Sequence, residues 1–240
     1  MVKRTLFLIL SLSLLVIPAA AQRALTKPET GTTPQELLQD RQVSVTLNDG
    51  SVIDGLLLNI NGDAFALQIK KGTMDLMLSG TSVFAFKNNL PGDILATLPY
   101  SSSSVSMILR TDVSRDQAGQ TLIATVMVSG GLPISHAEAT LKFDPQVLTL
   151  SDVRGGGLFR STRVSTAIVE QNGIETVTAT DGCGPDCDLA ANGRLFIYTF
   201  TVNSAGDPEL TIDPSKSSLS PNAGPAVPLT VIYGKVLTTE

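Results

Sequence analysis

The sequence predicts an all-β chain, in which a small five-stranded, barrel-like region precedes a larger β-sandwich behind a cleavable export leader. Three observations carry this. Val, Thr, Ile and Leu recur in short alternating runs, the residue types and the period that suit a pleated, half-buried surface. Gly, Asn, Asp, Pro and Ser separate the runs, and strong helix formers are sparse after residue 40. The amino terminus has the three parts of a leader: Lys3 and Arg4, an apolar run from Leu6 to Ile17, and Ala19, Ala20 and Ala21.

Cleavage is expected after Ala21, making residues 1–21 a signal peptide. Its apolar run is shorter than the roughly 20 residues that cross a bilayer, and Pro18 ends it. No Cys follows the alanines to carry a lipid, and no later stretch is apolar enough to span. The expected product is secreted, extracellular or periplasmic, with no membrane span after cleavage. Its formal net charge moves from -5 to -7 when Lys3 and Arg4 leave with the leader. Nucleic-acid binding needs clustered cations, and the densest basic spot, Lys70-Lys71, sits before Gly72 as a solvated turn.

Residues 22–32 are polar and aperiodic, a tether. Thr33-Pro34-Gln35-Glu36 then reads as a capping box with proline in the first turn, predicting a short helix through about Gln39. From Val43 the period is two. Val43, Val45 and Leu47 lead into Asn48-Asp49-Gly50, and Val52 to Leu58 into Asn61-Gly62-Asp63, turns whose glycines supply positive φ. Further strands are expected over Ala64–Ile69, Met74–Leu78 and Val83–Phe86. One helix and a five-stranded meander over residues 33–87, with its stretch from Leu47 through Asn48-Asp49-Gly50 to Val52-Ile53-Asp54-Gly55, resembles the Sm-like and SH3-like barrels. The RNA-binding role of true Sm proteins does not suit an exported, acidic chain. Residues 88–104, with Pro91-Gly92, Pro99 and four consecutive serines, read as a linker.

Nine strands are expected over residues 105–240: Val105–Leu109, Leu122–Val128, His136–Phe143, Leu148–Val153, Arg163–Glu170, Thr176–Thr180, Arg194–Val202, Glu209–Ile212 and Leu229–Leu237. Short strands with turn signals between them imply a β-sandwich. Ala137, Ala139, Leu141 and Phe143 alternate with polar neighbours, as do Phe196, Tyr198, Phe200 and Val202 with Ile197, Thr199 and Thr201. These eight should face the core.

Leu141-Lys142-Phe143-Asp144-Pro145-Gln146-Val147-Leu148 is similar to the strand-ending corner of bacterial cohesin domains. Gly119-Gln120, Gly155-Gly156-Gly157-Leu158 and Gly193-Arg194-Leu195 fall around it in matching order, so the resemblance spans about Val105 to Leu237. It implies a nine-stranded jelly-roll sandwich, related in fold to carbohydrate-binding modules, that holds a dockerin on one flat sheet face. Family contacts vary with the partner, so the binding residues stay unknown at this point. The corner also has a local cause. Asp144 can accept from backbone N–H groups beyond it, while Pro145 fixes φ and removes a donor.

Cys183 and Cys187, in Asp181-Gly182-Cys183-Gly184-Pro185-Asp186-Cys187-Asp188, are expected to form a disulfide that pins a loop. The alternatives are free thiols, or calcium held by Asp181, Asp186 and Asp188; zinc lacks a second ligand pair. No cofactor, metal or catalytic residue is assigned. His136 and the adjacent Ser135 point to opposite faces of a strand, and nothing selects a glycosidase pair among Asp112, Asp116, Glu138, Glu170 and Glu175. Gly155-Gly156-Gly157 lacks the Lys-Ser/Thr of a phosphate loop and reads as a flexible corner. The expected function is non-catalytic docking of a partner protein, dockerin-like or an envelope component. The alternatives are polysaccharide binding and a structural role in an envelope or secretion assembly. Sugar binding is disfavoured because the chain has no Trp and three Tyr, of which Tyr198 should be buried, leaving Tyr100 and Tyr233.

Overall fold

Period-two alternation produces strands wherever one apolar row can be set against a neighbouring layer, and fifteen form among the described residues. The computed structural model describes residues 38–62, 64–87, 105–112, 118–130, 132–159, 164–183, 191–221 and 226–236, all within one compact unit, Thr33–Glu240. The leader, the tether and the 88–104 linker lie outside them, as does the helix expected through Gln39 except for Leu38 and Gln39. Among the described residues no helix is long and apolar enough to cross a membrane.

The first five strands are β1 (Arg41–Leu47), β2 (Val52–Asn61), β3 (Ala64–Ile69), β4 (Gly72–Met77) and β5 (Thr81–Phe86). They pair antiparallel in the order β4-β3-β2-β1-β5. The β1–β2 turn needs Gly50, whose φ of 85° is left-handed, and Asp49 caps it by accepting from Ser51 N at 2.8 Å and Ser51 Oγ at 2.6 Å. These bonds hold the Asp49 carboxyl below the usual carboxylate range. Lys70 and Lys71 are exposed in the β3–β4 turn, as expected.

The sandwich contains β6 (Val105–Thr111), β7 (Thr121–Gly130), β8 (Ile134–Phe143), β9 (Leu148–Gly155), β10 (Ser165–Gln171), β11 (Ile174–Gly182), β12 (Gly193–Val202), β13 (Thr211–Ile212), β14 (Ser218–Pro221) and β15 (Leu229–Gly234). One sheet runs β15-β6-β7-β12-β9; the other runs β10-β11-β8, with β13 and β14 sharing the far edge of β8. Among the described residues the count is ten strands rather than the expected nine. Ser218-Leu219-Ser220-Pro221 lacks the β-branched and aromatic residues that mark a strand, yet pairs with Ile134–Glu138. Conversely, Glu209 belongs to a turn. Its φ is 50°, and its N–H donates to the Asp207 carboxylate at 3.0 Å, so β13 keeps only Thr211 and Ile212.

Between the sheets, Ala137, Ala139, Leu141 and Phe143 of β8 meet Phe196, Tyr198, Phe200 and Val202 of β12, and all eight are fully buried. Phe143 and Phe200 pack edge to face with centroids 4.9 Å apart. Tyr198 donates its hydroxyl to the Ala139 carbonyl at 3.2 Å, which satisfies the one polar atom this row buries, and burial pushes its phenol pKa up.

β5 has β1 on one side and β15 on the other, the latter in parallel register with Ile232 beside Phe84. The five amino-terminal strands therefore continue the β15-β6-β7-β12-β9 sheet into one of ten strands. β6 and β15 are buried on both faces. Met107, Leu109 and Val231 enter the sandwich core, while Ile108 and Ile232 enter a second apolar cluster with Val43, Val45, Phe65 and Phe84. The Thr230 hydroxyl lies 2.9 Å from the Leu78 carbonyl and 2.7 Å from that of Thr81, tying the 3-10 turn at Leu78–Gly80 to β15.

Candidate docking face

The residues of β8, β10 and β11 that do not face the core form an outer surface of small side chains. Register aligns them in three rows: Val169 beside Thr176 and Lys142, Ala167 beside Thr178 and Thr140, Ser165 beside Thr180 and Glu138. Their inward counterparts, Val177, Ala179, Ala139 and Leu141, are fully buried, so the alternation that builds the core also builds this face. Because Thr, Ser and Ala dominate, its relief is low. The Thr140 and Thr178 hydroxyls lie 2.8 Å apart, and Thr176 Oγ1 donates to the Val169 carbonyl at 2.9 Å, so several hydroxyls are held in place by the sheet.

One edge of the face is fastened by Asp213. This buried carboxylate receives Lys142 Nζ at 2.8 Å, Ser215 N at 3.0 Å and Ser215 Oγ at 2.6 Å, and caps the 3-10 turn Pro214–Lys216. That turn sits over Thr140, whose hydroxyl donates to the Lys216 carbonyl at 2.9 Å. Burial acts to raise the Asp213 pKa, but the bonds from Lys142 and Ser215 outweigh it and hold the carboxyl below its usual range. A lowered folded-state pKa contributes stability that is complete above the unfolded value of about 3.9 and is lost as pH falls through the lower folded value. Asp213→Ala is therefore expected to cost about 2–3 kcal/mol at neutral pH. In urea denaturation the deficit against the parent should narrow as pH falls below about 4; a pH-independent deficit would show that the ion pair is not its source.

The corner after β8 takes the form its sequence implies. Asp144 Oδ1 accepts from Gln146 N at 2.8 Å, while its carbonyl accepts from Val147 N at 3.1 Å and Leu148 N at 2.9 Å. Asp144 is thus committed to the turn. Gly156 of the Gly155-Gly156-Gly157 corner is closely packed, since a Cβ on it would lie 2.5 Å from the Arg194 backbone, and Leu158 and Phe159 beyond the corner are buried.

Among the described residues the remaining sequence candidates are not drawn into one constellation. His136 is exposed against Gly182, while the Ser135 hydroxyl donates to the Ser220 carbonyl at 3.3 Å. Glu170 and Glu175 face each other across the β10–β11 hairpin on exposed or half-exposed strands, and Glu138 belongs to the outer face. Asp116 lies outside the described residues. Asp181 is buried with its carboxylate on Gly182 N at 2.7 Å, and Asp186 and Asp188 lie outside the described residues. Among the described residues no group of three His, Cys, Asp or Glu is placed to hold a metal. Cys183 packs half-buried against the core, and its N–H donates to the Ser135 carbonyl at 2.7 Å. Cys187 lies outside the described residues. Tyr198 is buried, Tyr233 is half-buried and Tyr100 is not described, so no exposed aromatic strip forms among the described residues. The row of hydroxyls was present in Thr176-x-Thr178-x-Thr180, but only the register shows which strands flank it.

Fold and surface together define a β-sandwich module that presents a sheet face of small side chains. Residues 109–229 match the family model described as the cohesin domain, which covers half of the chain, and the chain belongs to that family. Cohesin domains are non-catalytic binding modules. Similar solved structures include a non-cellulosomal cohesin from the hyperthermophilic archaeon Archaeoglobus fulgidus, with 16% identity, 57% of this chain and 92% of that chain covered, and a TM-score of 0.40. Another is CaCohA2 from Clostridium acetobutylicum, with 21% identity, coverages of 58% and 93%, and a TM-score of 0.46. A third is the sixth cohesin of Acetivibrio cellulolyticus scaffoldin B in complex with a Cel5 dockerin mutant, with 16% identity, coverages of 57% and 99%, and a TM-score of 0.44. The comparison with curated proteins found no match.

Proposed function

We propose that this chain is an exported, non-catalytic adaptor whose cohesin domain docks a partner protein of the dockerin type on the outer face of β8, β10 and β11. The observation that carries the reading is that face itself: small, sheet-ordered side chains that stay accessible on β10 and β11, while Thr140 of β8 lies under the Pro214–Lys216 turn. By contrast, the outer side of β15 and β6 is occupied by the amino-terminal strands through Ile232 and Ile108. Low relief suits docking of a partner's helix or loop surface, with affinity arising from a few central contacts. The leader at 1–21 supports export, and in an oxidising compartment Cys183 and Cys187 form a bridge that closes the loop after β11. Residues 33–87 act in this reading as a mount for the sandwich rather than as a second binding module.

The exported protein, used as bait against the producing cell's secreted proteins, is expected to capture a dockerin-bearing protein. Thr180→Arg places a long cation on the outer face and should weaken that capture at least about tenfold without changing the unfolding midpoint. Retention on insoluble polysaccharide with no dockerin captured would overturn the proposal in favour of sugar binding.

A further inference from the structure

The edge strands are guarded unequally. β4 carries Asp75 and follows Lys70-Lys71; β9 carries Asp152 and Arg154 and has a register break against β12; β13 and β14 are short and interrupted by a turn with Pro214. β10 is guarded only by Glu170. It contains no Lys, Arg or Pro, pairs with β11 in unbroken register, and is exposed at every residue, with Ile168 56% and Val169 58% accessible. Among the described residues only β11 pairs with it.

The direction of its backbone follows from one bond. The Val169 carbonyl accepts the Thr176 hydroxyl from β11, so Val169 turns its peptide groups toward β11. By the alternation of a strand, Thr166, Ile168 and Glu170 turn theirs to the open edge. Ser165-Thr166-Ala167-Ile168-Val169-Glu170-Gln171 is also self-complementary when reversed on itself about Ile168. Ile168 then opposes Ile168, Ala167 opposes Val169, Thr166 opposes Glu170 and Ser165 opposes Gln171. Apolar pairs occupy the centre, polar pairs the ends, and the sole charge, Glu170, opposes an uncharged residue.

We propose that β10 is a self-pairing edge: two copies of this chain join antiparallel about a two-fold axis at Ile168, forming one sheet across the dimer. The three edge-facing residues of each strand exchange their N–H and carbonyl groups with the partner strand. The axis passes through a single patch that meets itself, so the assembly closes at two copies. One seven-residue strand pair covers less area than the roughly 1,200–2,000 Å² of a stable interface, so the dimer is weak and concentration-dependent. It leaves the outer faces of both copies open and displays two docking faces on one continuous surface.

Sedimentation equilibrium of the exported protein is expected to show the mass rising from monomer toward dimer between about 5 µM and about 500 µM. Ile168→Lys sets two cations against each other at the axis, and Ile168→Pro removes the N–H aimed at the partner while leaving the bonds to β11. Each should weaken self-association at least about tenfold with an unchanged circular dichroism spectrum, while Ile168→Val retains it. Thr180→Arg should retain dimerisation even where it loses dockerin capture, which separates this proposal from the docking proposal. A parent protein that stays monomeric up to about 500 µM, or a dimer that survives both Ile168→Lys and Ile168→Pro, overturns it.

Discussion

Phe200→Ala is expected to destabilise the chain by about 3–5 kcal/mol, from the lost transfer of the ring and the cavity left behind. Phe200 is fully buried at the centre of the sandwich, with Phe143 edge-on at 4.9 Å from the facing sheet and Tyr198 stacked at 6.5 Å on its own strand. Both neighbours are held by strand pairing, so the site cannot collapse to fill the space. Phe143 belongs to β8 between β11 and β13/β14, and Tyr198 is tied to the Ala139 carbonyl. Since whole domains are stable by only about 5–15 kcal/mol, the variant should show a sharply lower urea midpoint and an unchanged m-value. Phe200→Leu, which keeps most of the volume, should cost markedly less. A loss below about 1 kcal/mol for the alanine variant would show that the two sheets do not meet at this ring.

Ile232→Asp should have a comparable effect by a different route, destabilising by about 4 kcal/mol or more because it buries an unpaired carboxylate. Ile232 is fully buried between Phe84 of β5 and Ile108 of β6, in register with both, and belongs to the cluster that the amino-terminal strands share with the sandwich. Desolvation would raise the pKa of the introduced carboxyl, so the penalty is largest at neutral pH. It should diminish as pH falls toward the unfolded-state value of about 3.9 and the group becomes neutral in both states. Because β15 pairs with β5 and β6 at once, thermal unfolding should remain a single transition shifted downward. Loss of residues 38–87 to protease while the sandwich resists would show instead that the two halves unfold separately.

Most of the core could be read from residue types. The alternation through Ala137, Ala139, Leu141 and Phe143, and through Phe196, Tyr198, Phe200 and Val202, assigned eight buried side chains correctly, because a strand's period of two leaves little freedom once one face must be dry. The Asp144-Pro145 corner was equally legible, since its hydrogen bonds span only a few residues. β14 was not, because Ser218-Leu219-Ser220-Pro221 owes its extended form to the edge of β8 rather than to its own propensity. The junction of β5 with β15 was also hidden. It pairs Val83–Phe86 with Val231–Gly234, nearly 150 residues apart, and no local pattern records a parallel partner at that distance.

The candidate site divides in the same way. Thr176, Thr178 and Thr180 stand out as an alternating polar row, but their flanking by Val169, Ala167 and Ser165 on one side and Lys142, Thr140 and Glu138 on the other depends on register between strands. Sequence alone determined most of the strands, the apolar rows that they bury and the resemblance to cohesins, all properties of short stretches or of motif order. Tertiary structure alone decided that the outer side of β6 and β15 is covered, that the outer faces of β10 and β11 are accessible, and that among the described residues only β11 pairs with β10. Those are questions of which surfaces are adjacent in space, and hydrogen-bond pairing between distant strands is what answers them.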